Sequence, residues 1–405
     1  MKPAQAGPSL SPTSAMIRVN MNTPQAVGLF AGIGGLELGL AHAGITTTLL
    51  CEIDAAATAV LKARFPGIPI HDDVCTLKRL PPDVDVLVGG FPCQDLSQAG
   101  TTTGISGSRS GLVDEVLRLA SSDQIRHVLL ENVSFMLHLH RGEAMRHVLG
   151  KLESLGFSLA YRVLDSRAFG VPQRRERVYI LASRDLRPEQ HLLSQDAGAP
   201  PEVEHDGRAC GFYWTEGVRG LGWAVDAVPT LKGGSTIGIP SPPGIWMPCG
   251  EIVTPDLRDA ERLQGFSSGW TTAADGVSRR SSRWKLVGNA VTVNTARWVG
   301  ERFVGDPRPV TAAKTPLRVG VPWPRAAFGS SRDGRFSVEA SAWPIRKASP
   351  ALPDFLRYEP KLLSHRAVAG FIARLEASNL NYPSDFLSAL KQHRTRMAAE
   401  TIGAA

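Results

Sequence analysis

Four short stretches bear side chains that could do chemistry together. GGFPCQ (89–94) holds Cys93 directly behind Pro92, at the end of the apolar run VDVLVGG (84–90). That run is short, β-branched and bounded by Pro81, Pro82 and a glycine pair, so it reads as a buried strand. Cys93 then stands at the strand's carboxyl end, where open α/β sheets place their ligands. ENV (131–133) puts Glu131 and Asn132 at the end of a second apolar run, HVLL. QRRERVYI (173–180) sets Gln173, Arg175 and Arg177 on one strand face and Arg174 and Glu176 on the other, because side chains alternate with period two. In LFAGIGG (29–35), Gly32, Gly34 and Gly35 let the backbone approach a ligand and expose amides at a helix amino end. CEID (51–54) places Glu52 at the end of the next strand, a position from which an acid binds ribose hydroxyls. The glycine turn and this acid together suggest an adenosine-bearing cofactor.

Taken singly, each stretch has an ordinary alternative. Cys93 also reads as a buried structural thiol, Glu131 and Glu52 as helix-start acids, and the arginines as a solvated strand start. A glycine turn between strand and helix is often a steric need alone. What favours chemistry is that a thiol, an acid and an arginine pair all fall at strand ends or starts of one sheet.

The elements that must position them alternate from Ala26 to about Ala182. AVGLF leads into the helical GGLELGLAHAG, and TTTLLCEID into AAATAVLKARF; IPIHDDV, VDVLVGG, LVDEVLRLA, HVLLENV, EAMRHVLGKLESLG, YRVLDSRAFG and RVYILAS follow. Such alternation predicts an α/β fold with a doubly wound, mostly parallel sheet. Residues 1–25 look like a loose arm, 26–184 like a catalytic and cofactor-binding domain, and 185–253, rich in Gly and Pro with interleaved aromatics, like a small irregular or β-rich inserted domain. Residues 254–304 return to the first domain, with GNAVTVNTARWVGERFV (288–304) reading as one helix, and 305–405 form an extension with helices near its end.

Bulk properties exclude several classes. The 405 residues are 43% apolar and 20% charged, ordinary for a soluble protein. No apolar run reaches about 18 residues, so no membrane span is expected, and the first 25 residues lack the apolar core of a signal peptide. Five cysteines (51, 75, 93, 210, 249) without a CxxC pair argue against a disulfide framework and a metal site, and place the protein in a reducing cytoplasm. The net charge is +7, yet residues 301–405 carry 16 Lys+Arg against 9 Asp+Glu while the remaining 29 and 29 balance. The basic tail makes nucleic acid a plausible partner.

The ordered blocks LFAGIGGLELG, CEID, DDV, GGFPCQ, ENV, QRRERVYI, RDAERLQGF and GNAVTVNTA resemble those of bacterial-type DNA (cytosine-5)-methyltransferases. They cover roughly 26–182 and 254–304, with that family's variable recognition region between them. The resemblance implies a Rossmann-like methyltransferase using S-adenosylmethionine. It implies Cys93 as the nucleophile, Glu131 as the acid, and Arg175 and Arg177 as the arginines of the QxRxR motif. Phe30, Gly32, Gly34, Glu52, Ile53, Asp73, Pro92 and Asn289 are implied to line the cofactor pocket, with Asp73 preferred to Asp72.

The implied chemistry accounts for these residue types. Carbon 5 of cytosine is a poor nucleophile until a thiolate adds at carbon 6 and makes the ring an enamine. Glu131 protonating ring nitrogen 3, and Arg177 near carbonyl oxygen 2, would stabilise that adduct, with Arg175 supporting the lid or the sulfur. The Gly-, Ser- and Thr-containing 94–111 segment could move as that lid. The base must first be swung out of the duplex. Thr230-Leu231 resembles the Thr-Leu pair of the family's recognition region, and Gln94, Arg219, Thr230, Lys232 and Ser235 are candidates for DNA contact. The expected partners are double-stranded DNA and a cognate restriction or defence-system protein, for a monomer associated with the bacterial nucleoid.

Other readings remain open on sequence. A tRNA cytosine methyltransferase would keep the Cys and Glu motifs, and a silent DNA-binding paralogue would keep the fold. A dinucleotide oxidoreductase leaves FPCQ and ENV without a role. The tail after Gly305 either adds DNA affinity or docks a partner, or else is a packing extension.

Overall fold

The computed structural model describes residues 23–92, 111–216, 218, 220–234, 240–279, 281–318 and 320–403, with side chains to 399. Cys93, Gln94, Arg219, Ser235, the lid segment before Gly111 and most of the amino-terminal arm lie outside the described residues. The first half builds a wound sheet from β1 (Gln25–Leu29), α1 (Gly35–His42), β2 (Thr46–Cys51), α2 (Ala55–Arg64), β3 (Ile70–His71), β4 (Val86–Gly90), α3 (Leu112–Ala120), β5 (His127–Val133), α4 (Glu143–Ser154) and β6 (Ser158–Asp165). After β7 (Gln173–Arg174) and β8 (Glu176–Ser183) come α5 (Pro188–Leu192) and the short strands β9 (Cys210–Phe212), β10 (Ala224–Val225), β11 (Val228–Pro229), β12 (Gly244–Trp246) and β13 (Ile252–Thr254). Then follow α6 (Leu257–Leu263), α7 (Ser282–Asn289), α8 (Val293–Val304), β14 (Lys314–Pro316), β15 (Ala326–Ser330), β16 (Gly334–Val338), α9 (Leu352–Phe355), β17 (Lys361–Leu362), α10 (His365–Glu376) and α11 (Ser384–Gly403).

The main sheet has the order β14-β16-β15-β6-β8-β5-β4-β1-β2-β3. β3, β2, β1, β4 and β5 pair in parallel, and β8 enters antiparallel between β5 and β6. The central strands are apolar on both faces because helices cover both: Val27, Leu29, Leu87, Val128 and Leu130 pack toward α3 and α4, while Ala26, Val86, Val88 and Leu129 pack toward α1 and α8. The carboxyl ends of β1, β2, β4 and β5 therefore share one edge, the predicted ligand edge.

Residues 305–405 are woven into both parts of the molecule. β15 pairs with β6 and carries β16 and β14, extending the main sheet. Farther on, β17 adds to the second sheet, β10-β9-β12-β13-β17, and α10 and α11 bury Phe371, Leu375, Phe386 and Leu390 against Phe212, Trp246 and Ile252. The segment predicted as one helix over 288–304 is two. α7 stops at Asn289 and α8 starts at Val293, with Ala290 extended and Thr292 turning its hydroxyl to Gln264 Oε1 at 2.8 Å. Among the described residues no helix is long and apolar enough to cross a membrane.

Candidate active site

Chain direction creates the first wall of the site. β1 ends in a turn in which Phe30 (φ 52) and Gly32 (φ 56) both have left-handed backbone. A Cβ on Gly32 would meet nothing within 4 Å, so the backbone there faces open space. Glu52, just past β2, braces the turn: Gly32 N donates to Oε2 at 2.7 Å and Asp54 N to Oε1 at 2.8 Å. Burial raises the Glu52 carboxyl above its ordinary range, opposed by those amides. Beside it Ile53 is 76% exposed, an apolar side chain standing free on the sheet edge. Asp73 caps the turn at Val74–Thr76 through Cys75 N at 2.9 Å, while Asp72 is exposed. Pro92 and Asn289 are exposed, and Gly34 closes the turn at φ 82.

The second wall forms where β4 meets β5. Their parallel register sets Gly90 beside Glu131, so the chain leaves β4 toward Cys93 directly alongside that acid. Asn132 Nδ2 donates to Phe91 O at 3.0 Å, fixing the backbone two residues ahead of the cysteine. Glu131 is 7% exposed. Arg177, opposite Val133 on β8, brings Nε to 3.1 Å from Glu131 Oε1 without hydrogen-bond alignment, leaving that oxygen with no hydrogen-bond donor. Burial pushes the Glu131 carboxyl up, and the charges of Arg177 and then Arg175 act against it. The result is a buried acid beside a cation, its carboxyl shifted toward the protonated form by burial.

Arg175 is buried and bonded through both terminal nitrogens. Nη1 donates to Leu231 O (3.2 Å) and Gly288 O (3.1 Å), and Nη2 to Ala290 O (2.7 Å). With both terminal nitrogens on carbonyls of the 230s segment and of the α7–α8 junction, it ties these together; the lid and the sulfur it was expected to support lie outside the described residues. Burial lowers its affinity for the proton, and three carbonyl acceptors hold the charge in place. Gln173 completes the tie: its Nε2 donates to Leu263 O at 2.9 Å and its Oε1 accepts from Leu231 N at 3.0 Å. β7 and β11 pair alongside, setting Val228 against Gln173.

An open cleft of about 390 Å³ lies beside the second wall, lined by Ser134, Arg174, Glu176, Arg177 and Thr230. Thr230 Oγ1 donates to Arg174 O at 2.8 Å, and Lys232 is ion-paired to Glu216 with its ammonium 3.8 Å from the Tyr213 ring centre. Sequence reasoning missed two supports. Glu261 in α6 accepts from Gly269 N, Thr271 N and Thr271 Oγ1, and it also meets Arg283, so the loop carrying Trp270 is fixed. Trp270 Nε1 then donates to Ile33 O at 2.9 Å, inside the glycine turn. The only signal was RDAERLQGF itself, a buried acid spaced like an exposed one. Among the described residues no cluster suits a metal ion, and Cys51, Cys75, Cys210 and Cys249 are free.

A model of the C-5 cytosine-specific DNA methylase family matches residues 25–205, which hold both walls. The Type II methyltransferase M2.BsuMI of Bacillus subtilis (strain 168) is 43% identical over 386 residues, spanning 92% of this chain and 98% of that protein. The Type II methyltransferase M.BsuFI of Bacillus subtilis is 38% identical over 156 residues, 38% of each chain. The S. pombe Dnmt2 methyltransferase structure shares the fold at a TM-score of 0.50 and 17% identity, covering 68% of this chain and 96% of that one. Since similarity to one relative runs almost end to end and so includes the region after residue 305, the blocks are not an isolated motif set: the chain belongs to the C-5 cytosine-specific DNA methylase family and is a DNA cytosine-5 methyltransferase.

Proposed function

We propose that the enzyme methylates carbon 5 of a cytosine extruded from a specific duplex sequence, through a covalent adduct on Cys93. The observation that carries this reading is the buried Glu131 beside Arg177, in register with Gly90 three residues before the cysteine. S-adenosylmethionine would supply the methyl group. The edge fits it: Gly32 leaves space where a Cβ would intrude, Glu52 keeps acceptor capacity on both oxygens for ribose hydroxyls, and Ile53 offers an apolar surface to a base. Phe30, Gly34, Asp73, Pro92 and Asn289 complete the proposed lining.

In the proposed cycle the Cys93 thiolate bonds to carbon 6 while Glu131 delivers its proton to ring nitrogen 3. Arg177 would hold carbonyl oxygen 2 as the ring gains electron density. Carbon 5 then takes the methyl group, loses its own proton to a base, and the carbon 6–sulfur bond breaks to return the thiolate. Arg175 acts as a positioning residue that keeps the 230s segment against the catalytic edge. Thr230 and Lys232, with Gln94, Arg219 and Ser235, are the proposed DNA contacts, and the residues around 185–253 the proposed reader of sequence. The relatives' designation as Type II methyltransferases supports a role in restriction-modification.

Duplex DNA bearing 5-fluorocytosine tests the mechanism, because fluorine cannot leave as a proton does. Wild-type protein with cofactor should become covalently linked to that duplex, and Cys93→Ser should not. A folded Cys93→Ser protein that still methylates duplex DNA at the wild-type rate would refute the adduct. Methyl transfer to tRNA alone would refute the substrate.

A further inference from the structure

The segment leaving β5 is unusual in both backbone and charge. Ser134 lines the cleft, and the next residue, Phe135, is 61% exposed. His138, His140 and Arg141 follow, all exposed. His140 (φ 48) and Arg141 (φ 55) are left-handed in succession, ahead of Gly142 at φ 82. Non-glycine residues take up this conformation in pairs only when their surroundings impose it.

Here the surroundings come from the carboxyl-terminal region. Trp323 Nε1 donates to Gly142 O at 2.8 Å, and its ring lies so close that a Cβ on Gly142 would stand 2.5 Å from Cδ1. Trp323 is itself fixed edge-on against Tyr161, with Arg335 above its ring at 5.3 Å. One turn into α4, Arg146 faces Arg318 across a notch of about 390 Å³ that Glu153, Trp323 and Arg335 also line. Arg335 takes both oxygens of Glu153, at 2.9 and 2.5 Å, and His147 takes Asp114 at 2.8 Å. Among the described residues from Phe135 to Arg146, Glu143 is the one acid, and it is exposed. Among the described residues Arg141, Arg146 and Arg318 have no acidic partner, and all three are exposed.

We propose that this face, Phe135 to Arg146 with Arg318, is a second contact for the duplex, binding the phosphate backbone beside the extruded base. The inference rests on the cleft being the seat of that base. The chain runs from Ser134 in the cleft to Arg141 within seven residues, so a duplex engaged at the cleft passes over it. Three unpaired guanidiniums suit phosphate oxygens, and Phe135 offers an apolar surface to sugar or base. On this reading the tail's part in DNA binding is to supply Arg318 and, through Trp323, to hold the turn that presents Arg141.

The test is a triple variant, Arg141→Asn, Arg146→Gln and Arg318→Gln. All three side chains are exposed, and asparagine tolerates left-handed backbone, so folding is preserved; Arg318→Glu alone serves as a second, still milder structural change. Duplex binding is read by fluorescence anisotropy across a salt series. The triple variant should bind about 30-fold more weakly at low salt, with the slope of log affinity against log salt reduced by two to three units, roughly one per lost contact. Its turnover at saturating duplex and its adduct with 5-fluorocytosine DNA should match wild type. Unchanged affinity and slope in both variants, with the adduct still formed, would overturn the proposal and leave the face to another partner such as an acidic protein. Failure of wild type to form the adduct would instead defeat the catalytic reading, whatever the salt slopes show.

Discussion

Replacing Glu37 by glutamine should stabilise the protein, by an amount that grows with pH. Glu37 sits in the first turn of α1, is 1% exposed, and neither carboxyl oxygen has a hydrogen-bond partner among the described residues. The helix lies so close to β1 that a Cβ on Gly28 would stand 2.4 Å from Glu37 Oε1. Burial, and secondarily the charge of Glu52, raise its pKa from 4.5 to about 8. The folded protein therefore keeps this acid protonated at neutral pH, while the unfolded chain ionises it. For a group whose folded pKa is raised, stability is complete below the unfolded value and falls as pH climbs to the folded one. Each unit in that window removes about 1.4 kcal/mol. From 4.5 to pH 7 this amounts to roughly 3 kcal/mol, and above pH 8 to roughly 5, both order-of-magnitude figures for a fully buried carboxyl.

Glutamine has the same shape and never ionises. Near pH 5 the two proteins should unfold at nearly the same denaturant concentration, and by pH 8.5 Glu37→Gln should be more stable by several kcal/mol. Urea unfolding of both proteins at half-unit pH intervals, followed by tryptophan fluorescence, gives the difference directly. A stability gap that stays constant between pH 5 and 8.5 would refute the reasoning, because it would mean that Glu37 titrates alike in folded and unfolded chains.

Two further substitutions probe the catalytic edge. Glu131→Gln retains the size of the side chain but cannot deliver a proton, so methyl transfer to duplex DNA should fall by about 10²- to 10⁴-fold with the thermal midpoint preserved; a rate within threefold of wild type would exclude the acid role. Arg175→Lys cannot span the carbonyls of Leu231, Gly288 and Ala290, and the orphaned acceptors should cost about 3 kcal/mol, seen as a lowered unfolding midpoint that an unchanged midpoint would contradict.

The glycine turn, the apolar strands and their carboxyl-edge residues are legible in the sequence because each is a local pattern. The meeting of Glu131 with Arg177 was foreseeable only as two strand ends on one sheet; the antiparallel insertion of β8 beside β5 makes it a contact. Glu37 illustrates what local pattern hides. An acid in a first helical turn reads as a favourable partner of the helix dipole, and only the packing of α1 onto Gly28 buries it. β14, β15 and β16 are hard to read for a similar reason: their segments carry Gly and Pro and little alternation, and they are strands because β15 finds a partner on the free edge of β6, and β16 and then β14 pair onto it in turn.

That dependence decides how the carboxyl-terminal region can be studied. Phe371 and Phe386 are fully buried, stacked on or set edge-on to Phe212 of β9, and β17 pairs with β13. Ending the chain near residue 305 would expose this aromatic surface and also the edge of β6, and burying two phenylalanines alone is worth several kcal/mol. His393 adds two polar bonds to the same seam: Nδ1 accepts from Ile252 N at 3.2 Å and Nε2 donates to Leu363 O at 2.9 Å. A truncated protein that failed to bind DNA would thus report a collapsed β9–β13 sheet as readily as a lost phosphate contact. Only single exposed side chains such as Arg146 and Arg318 separate the two, because their removal leaves every buried partner of the extension in place.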